Sequence, residues 1–186
     1  MDIALWLPLA TGLAAQAAIK ETARLEADIR WPNDLLLNNR KCGGILVEST
    51  AMTMSEGNRP MLRYAVIGVG INVNQKSFPT DLNTIATSIS MAGGTVTRQA
   101  LVIALLRFLD LEIRNLLEQF HGTLGGPGLL ERFSAASTWV RGKRVRVDED
   151  GGYTGVTDGL DPRGFLRVAG DDGVLHTVLS GGVRTL

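Results

Sequence analysis

The chain has 186 residues, 45% of them hydrophobic, and its 19 Lys and Arg are balanced by 19 Asp and Glu. That length holds one core of roughly 100–150 residues with a small appendage, and zero net charge removes the long-range field with which a general nucleic-acid binder attracts phosphates. One cysteine, Cys42, and two distant histidines, His121 and His176, exclude an intrachain disulfide and argue against a metal centre.

Residues 3–24 read as a helix. Asp2 is placed to cap it, Pro8 falls where a first turn tolerates proline, and Leu5, Leu9, Leu13 and Ala17 recur at four-residue spacing. Its alanines and Gly12 suggest close packing against a sheet. Charge is expected to interrupt the apolar stretches before the ~18 residues of a membrane span. Asp2 stands where a signal peptide would carry a basic residue, so a cytoplasmic protein is expected. Extended pieces follow at 27–31, 35–37, 44–48 and 62–74, divided by Pro32-Asn33-Asp34, by Asn38-Asn39-Arg40 and by a polar loop at 50–60. Connections this short favour antiparallel neighbours. After a loop at 76–83, residues 97–120 carry a helical period. Val102, Leu105, Leu106, Leu109, Ile113, Leu116, Leu117 and Phe120 form the expected core stripe; Arg107, Asp110, Arg114 and Glu118 lie opposite. Glycines at 122–128 break this helix and a short one follows at 129–137. From Gly142 onward, short alternating segments with Asp/Gly/Pro turns suggest a small β-barrel, with the boundary at 138–142.

Three polar clusters carry candidate chemistry. Arg30-Trp31-Pro32-Asn33-Asp34 presents a cation, an amide and a carboxylate at a strand end, although Pro-Asn-Asp is also plain turn composition. In Arg40-Lys41-Cys42-Gly43-Gly44-Ile45-Leu46-Val47-Glu48 two cations precede a glycine pair, which lets a ligand approach the backbone while a lysine neutralises a carboxylate or phosphate oxygen. An ordinary hairpin rim would read the same way. Gly68-Val69-Gly70-Ile71-Asn72-Val73-Asn74 places glycines inside a strand, the mark of a bulge or a close approach, before an amide able to bond a base edge. It lacks the third glycine and the helix of a dinucleotide fingerprint.

In this order the three clusters resemble the biotin protein ligase family, whose usual wording is Lys-Trp-Pro-Asn-Asp, Arg-Lys-x-x-Gly-Ile-Leu-x-Glu and Gly-x-Gly-Ile-Asn. The likeness continues through Ala86-Thr87-Ser88-Ile89 and the tail Ser180-Gly181-Gly182-Val183-Arg184. It implies an α+β fold in which a mixed sheet with helices, like that of class II aminoacyl-tRNA synthetases, spans residues 1–138 and an SH3-like barrel spans 139–186. The implied activity uses ATP with Mg²⁺ to convert biotin to biotinyl-5′-AMP, then passes the biotinyl group to a lysine of a biotin carboxyl carrier protein domain. By motif, Lys41 is the cation at the reacting oxygens, Asp34 holds the incoming amine, and Arg30 replaces the usual lysine. Asn33 and Asp34 orient the adenylate, Gly43, Gly44, Ile45 and Leu46 line the biotin pocket, Gly70 and Asn72 meet the adenine, and Arg184 reaches a nucleotide phosphate. No resident metal, no DNA and no membrane are implied, and relatives of this kind often form homodimers, which makes a homodimer one partner the resemblance allows.

The sequence departs from the family at one point. It contains no Gly-Arg-Gly-Arg-x-Gly-Arg run, the segment that in the family folds over biotin and the adenylate. The leading expectation remains the ligase activity, and this departure supplies the alternative: a truncated, catalytically impaired homologue that acts only as a biotin- or adenylate-binding or interaction module.

Overall fold

A computed structural model describes residues 3–52, 61–149, 151–180 and 182–186. A 3₁₀ turn (Ile3–Trp6) leads into helix α1 (Leu7–Ala23), which ends on Arg24 in the left-handed conformation (φ 57°), its N–H bonded to Lys20 O at 3.2 Å. Asp2 lies outside the described residues, so its expected capping role falls there too. The helix is buried on nearly all sides, not on one stripe: Leu7, Leu9, Ala10, Thr11, Gly12, Leu13, Ala14, Ala15, Ala18, Ile19 and Ala23 are inside, whereas Leu5 is exposed. The small residues bring the helix onto the sheet as expected, and a Cβ on Gly12 would stand 3.4 Å from Ile29 Cγ2. Contrary to the expected charge interruption, Ile3–Ala23 is long and apolar enough to cross a membrane. Its burial in the core accounts equally for that composition.

Strands β1 (Asp28–Arg30), β2 (Asp34–Leu37), β3 (Arg40–Met52) and β4 (Met61–Ile71) form one sheet in that order. Every ladder is antiparallel. The expected mixed sheet is thus corrected, because the short turns leave no room for crossovers; the parallel pairing among the described residues is a bridge between Lys41 and Ala86. β3 runs on to Met52, into the stretch read as a loop, β4 starts at Met61, and residues 53–60 of that stretch lie outside the described residues.

Helix α2 (Arg98–His121) is capped by Thr97, whose hydroxyl accepts from Ala100 N at 3.2 Å, and stops at Gly122 (φ 72°). Its buried face is Leu101, Ala104, Glu112 and Leu116. Val102, Leu106 and Leu117 of the expected core stripe are instead exposed. Helix α3 (Leu129–Ala136) leads into a second antiparallel sheet of β5 (Arg141–Val147), β6 (Tyr153–Leu160), β7 (Leu166–Gly170), β8 (Leu175–Val178) and β9 (Val183–Thr185), ordered β8-β7-β6-β5-β9. Two indoles, on the 3₁₀ turn and on the turn after β1, fasten the connection between β6 and β7: Trp6 Nε1 donates to Arg163 O at 2.8 Å and Trp31 Nε1 to Gly164 O at 2.9 Å. With helices beside two antiparallel sheets, the architecture is α+β.

Candidate functional site

Strand register puts the first two clusters side by side. Arg30 pairs with Asp34, Asp34 with Gly44, and Gly44 with Gly70, so one row of residues crosses all four strands on a single face. The opposite face carries Ile29, Leu35, Gly43 and Ile71 in register, with Ile29 and Leu35 fully buried.

Lys41 joins this row because of a local irregularity. In regular alternation residues 41 and 44 would face opposite sides. The register slips so that Leu35 faces Gly43 while Leu36 faces Lys41, leaving Cys42 as an extra residue. This bulge turns Lys41 onto the Asp34 face. Buried Cys42 is held inside, and burial pushes its thiol up to about 12, so it stays protonated and is no nucleophile at neutral pH. The strand is also held from the 85–87 segment, with Lys41 N donating to Ile85 O at 2.8 Å and Thr87 N to Lys41 O at 2.9 Å.

The Asp34 carboxylate has a cation on each oxygen. Arg30 Nε and Nη2 donate to Oδ2 at 3.1 and 2.5 Å, and Lys41 Nζ is ion-paired with Oδ1. Asp34 is only 15% exposed at its side chain and Lys41 is 49% exposed, so the carboxylate is fixed while the ammonium still reaches solvent. Two cations against one carboxylate leave a net positive charge beside the glycine floor. A Cβ on Gly44 would lie 3.4 Å from Lys41 Cε and 3.5 Å from Nζ, so the missing side chain is what keeps the approach to the ammonium open. Gly68 and Gly70 extend the floor along β4, and no atom lies closer than 3.7 Å to a Cβ built on either. Leu46, opposite Gly68 and 63% exposed, supplies apolar surface.

Of the other predicted residues, Asn33 bridges from the turn to β3: its Nδ2 donates to Ile45 O at 2.7 Å and its carbonyl accepts from Ile45 N at 3.0 Å. The Ile45 side chain faces the core, so it offers this face only backbone, and Gly43 likewise lies on the buried side. Asn72 stands just beyond β4, its Nδ2 donating to Thr87 O at 3.0 Å and its Oδ1 accepting from Gln75 at 3.5 Å. Arg184 is not brought to this row. It sits in β9 with its Nε 3.2 Å from Asp148 Oδ2, and Arg146 shares the same carboxylate. Two clefts among the described residues, of about 490 and 320 Å³, lie beside α1 and α3 and at the junction of the two sheets. Neither is lined by Arg30, Asp34 or Lys41, which lie on an open sheet face. Sequence reasoning passed over Trp139, whose ring lies beneath Arg30 with the guanidinium carbon 5.3 Å from the ring centroid. Nothing local in the sequence marks that contact between residues more than a hundred positions apart.

Comparison with known proteins gives this arrangement its context. Residues 3–72 match the biotin/lipoate A/B protein ligase family and residues 141–183 match the biotin protein ligase C-terminal domain. The chain belongs to the biotin protein ligase family. Among its relatives, the bifunctional ligase/repressor BirA of Bacillus subtilis is 33% identical over 172 residues, covering 90% of this chain and 49% of that protein. The biotin–[acetyl-CoA-carboxylase] ligase of Mycobacterium tuberculosis is 32% identical over 170 residues, covering 87% and 55%. The chain therefore spans about half the length of the curated relatives it matches. The apo biotin protein ligase from Aquifex aeolicus has the same fold, with a TM-score of 0.74 at 23% identity, covering 97% of this chain and 74% of that one.

Proposed function

We propose that the chain carries the biotin- and adenylate-handling part of an ATP-dependent ligase. In the first step a biotin carboxylate oxygen attacks the α-phosphorus of ATP, the bond to the β-phosphate bridge breaks, and pyrophosphate leaves with Mg²⁺. In the second, a lysine amine of a biotin carboxyl carrier protein domain attacks the acyl carbon, the acyl–phosphate bond breaks, AMP leaves and the nitrogen gives up a proton. The observation that carries this reading is the Arg30–Asp34–Gly44–Gly70 row with Lys41 turned into it by the Cys42 bulge.

Both steps gather negative charge at oxygen, and a preorganised cation stabilises it without reorganisation. Lys41 is that cation. Asp34, already holding two cations, is suited to hold a third in the incoming ammonium and to orient it as it deprotonates. Gly44 and Gly70 admit the ligand to the backbone, Leu46 meets its apolar part, Asn33 fixes the turn beneath the adenylate, and Asn72 offers an amide to adenine. Arg184 serves nucleotide phosphate only if the second sheet supplies it from its pairing with Asp148. The finer fold reading divides the chain into a class II synthetase-like unit at 1–138 and an SH3-like unit at 139–186. A cytoplasmic setting, where ATP and carboxylases coexist, and a homodimer accompany that reading.

Calorimetry with biotin and ATP, followed by biotin-dependent exchange of labelled pyrophosphate into ATP, tests the function. Binding of both ligands with exchange above background is expected. Binding without exchange would reduce the chain to a binding module, and binding of neither ligand would overturn the proposal.

A further inference from the structure

We infer that Trp139, at the entry to the second sheet, is a positioning residue for the cation cluster: its ring fixes the Arg30 guanidinium and, through the Asp34 carboxylate, the Lys41 ammonium. Trp139 is 3% exposed, and its indole N–H is buried with no hydrogen-bond partner among the described residues. Hydrogen bonding therefore does not explain why an indole stands there. Its π face does, because two cations lie over it: the Arg30 guanidinium carbon at 5.3 Å and Lys143 Nζ at 5.0 Å from the centroid.

Ring and guanidinium are also tied through the backbone. Ser137 Oγ donates to Ile29 O at 2.5 Å, on the residue preceding Arg30, and accepts from Trp139 N at 3.2 Å. With its plane set by the ring, Arg30 directs Nε and Nη2 at the same Asp34 oxygen, which leaves Oδ1 turned toward Lys41. A residue next to the second sheet thereby sets the direction of a charge in the first. A ring that merely filled space would be replaceable by any apolar side chain of similar bulk; a positioning ring would not.

The test has one arm that needs no ligand and one that rests on the proposed function. In ¹⁵N–¹H spectra the Arg30 Nε–H should give a ring-current-shifted, slowly exchanging signal. Trp139→Leu should abolish both properties, Trp139→Phe should retain them, and Lys143→Ala should leave them in place. If Trp139→Leu fails to fold, Trp139→Met keeps the bulk without the π face. By calorimetry, Trp139→Leu should weaken biotin by roughly threefold to thirtyfold, the range spanned by a cation–π contact from exposed to desolvated sites, while leaving the uncharged biotin amide unaffected; Trp139→Phe should restore most of the loss. An Arg30 signal unchanged in Trp139→Leu, or equal losses for biotin and its amide, overturns the inference. If the parent chain binds neither ligand, the proposed function fails, and the Arg30 signal still decides the role of Trp139.

Discussion

Gly43 and Gly44 are adjacent, and the structure gives them opposite sensitivities. Neither has a positive φ, so alanine is free of backbone strain at both and only the surroundings discriminate. A Cβ on Gly43 would stand 2.6 Å from the Gly70 carbonyl oxygen and 3.2 Å from Leu35 Cδ1. The first is backbone of the paired strand and cannot swing aside, so β3 and β4 must separate. Overpacking of this kind costs about 1–3 kcal/mol, and at about 2–4 °C per kcal/mol for a chain of this size the melting temperature should fall by roughly 2–12 °C. A Cβ on Gly44 meets nothing closer than 3.4 Å, and its neighbours are the flexible end of Lys41 and Asp34 Oδ1 at 3.7 Å. Gly44→Ala should therefore stay within about 0.5 kcal/mol of the parent. Its methyl group nevertheless occupies the approach to the ammonium, and a misplaced methyl in a fitted site is worth about 1–3 kcal/mol, or tenfold to two-hundredfold in affinity. Scanning calorimetry of the two variants, paired with biotin titrations, separates the effects. A Gly43→Ala protein that melts with the parent, beside a Gly44→Ala protein that melts early, would mean that the faces are exchanged and that the Cys42 bulge is absent.

Lys41→Ala should weaken biotin by about 1.5–3 kcal/mol, tenfold to hundredfold, through loss of a charge-assisted contact; a calorimetric affinity equal to the parent's would remove Lys41 from the site. Asn72→Asp should weaken ATP more than biotin, because the adenine edge loses the amide donor, whereas equal losses would assign Asn72 to holding Thr87. Acid should act through the second sheet. Asp161 is raised by burial but lowered further by the backbone N–H groups of Phe165 and Arg163 and by the Arg163 side chain. The Arg144 and Thr154 side chains lower Asp171. A carboxyl lower in the folded than in the unfolded state contributes stability above its ordinary range near pH 4 that is lost as pH falls through the folded value. Asp161→Asn should accordingly destabilise the protein in thermal melts at pH 7, and the gap to the parent should narrow as pH falls below the ordinary carboxyl range; a gap that does not change with pH would refute the assignment.

The chain's elements were legible where local chemistry decides them, and their faces were less so. Thr97 and Gly122 bound α2 within a residue of the expected limits, because a hydroxyl cap and a left-handed glycine act over one turn. Which stripe of α2 faces inward is a tertiary choice. Leu101 and Ala104 are buried against the rest of the fold, Glu112 is carried inside by its ion pair with Arg132 at 2.6 Å, and the larger Val102 and Leu106 remain outside. Apolar count on a wheel ranks those stripes the other way. The same limit applied to α1, whose small residues allow packing on all sides and so produce a composition that length and hydropathy alone cannot tell from a membrane span.

At the site, residue types could be read from the motifs, but their convergence could not, since it depends on one uneven register. Alternation from Gly44 places Lys41 on the core side, where a lone ammonium would carry a desolvation penalty of several kcal/mol. The extra residue at Cys42 reverses that parity, putting a thiol in the core and the ammonium beside Asp34. A small, neutral, bury-able residue is what such a position needs, and Cys42 is fully buried there. Ile45 and Leu46 divide for the same reason: once parity is counted from the bulge, Ile45 belongs to the core and Leu46 to the open face. Charge and backbone geometry are coupled here, because only this register lets a strand that begins with two cations enter the core without burying either of them unpaired.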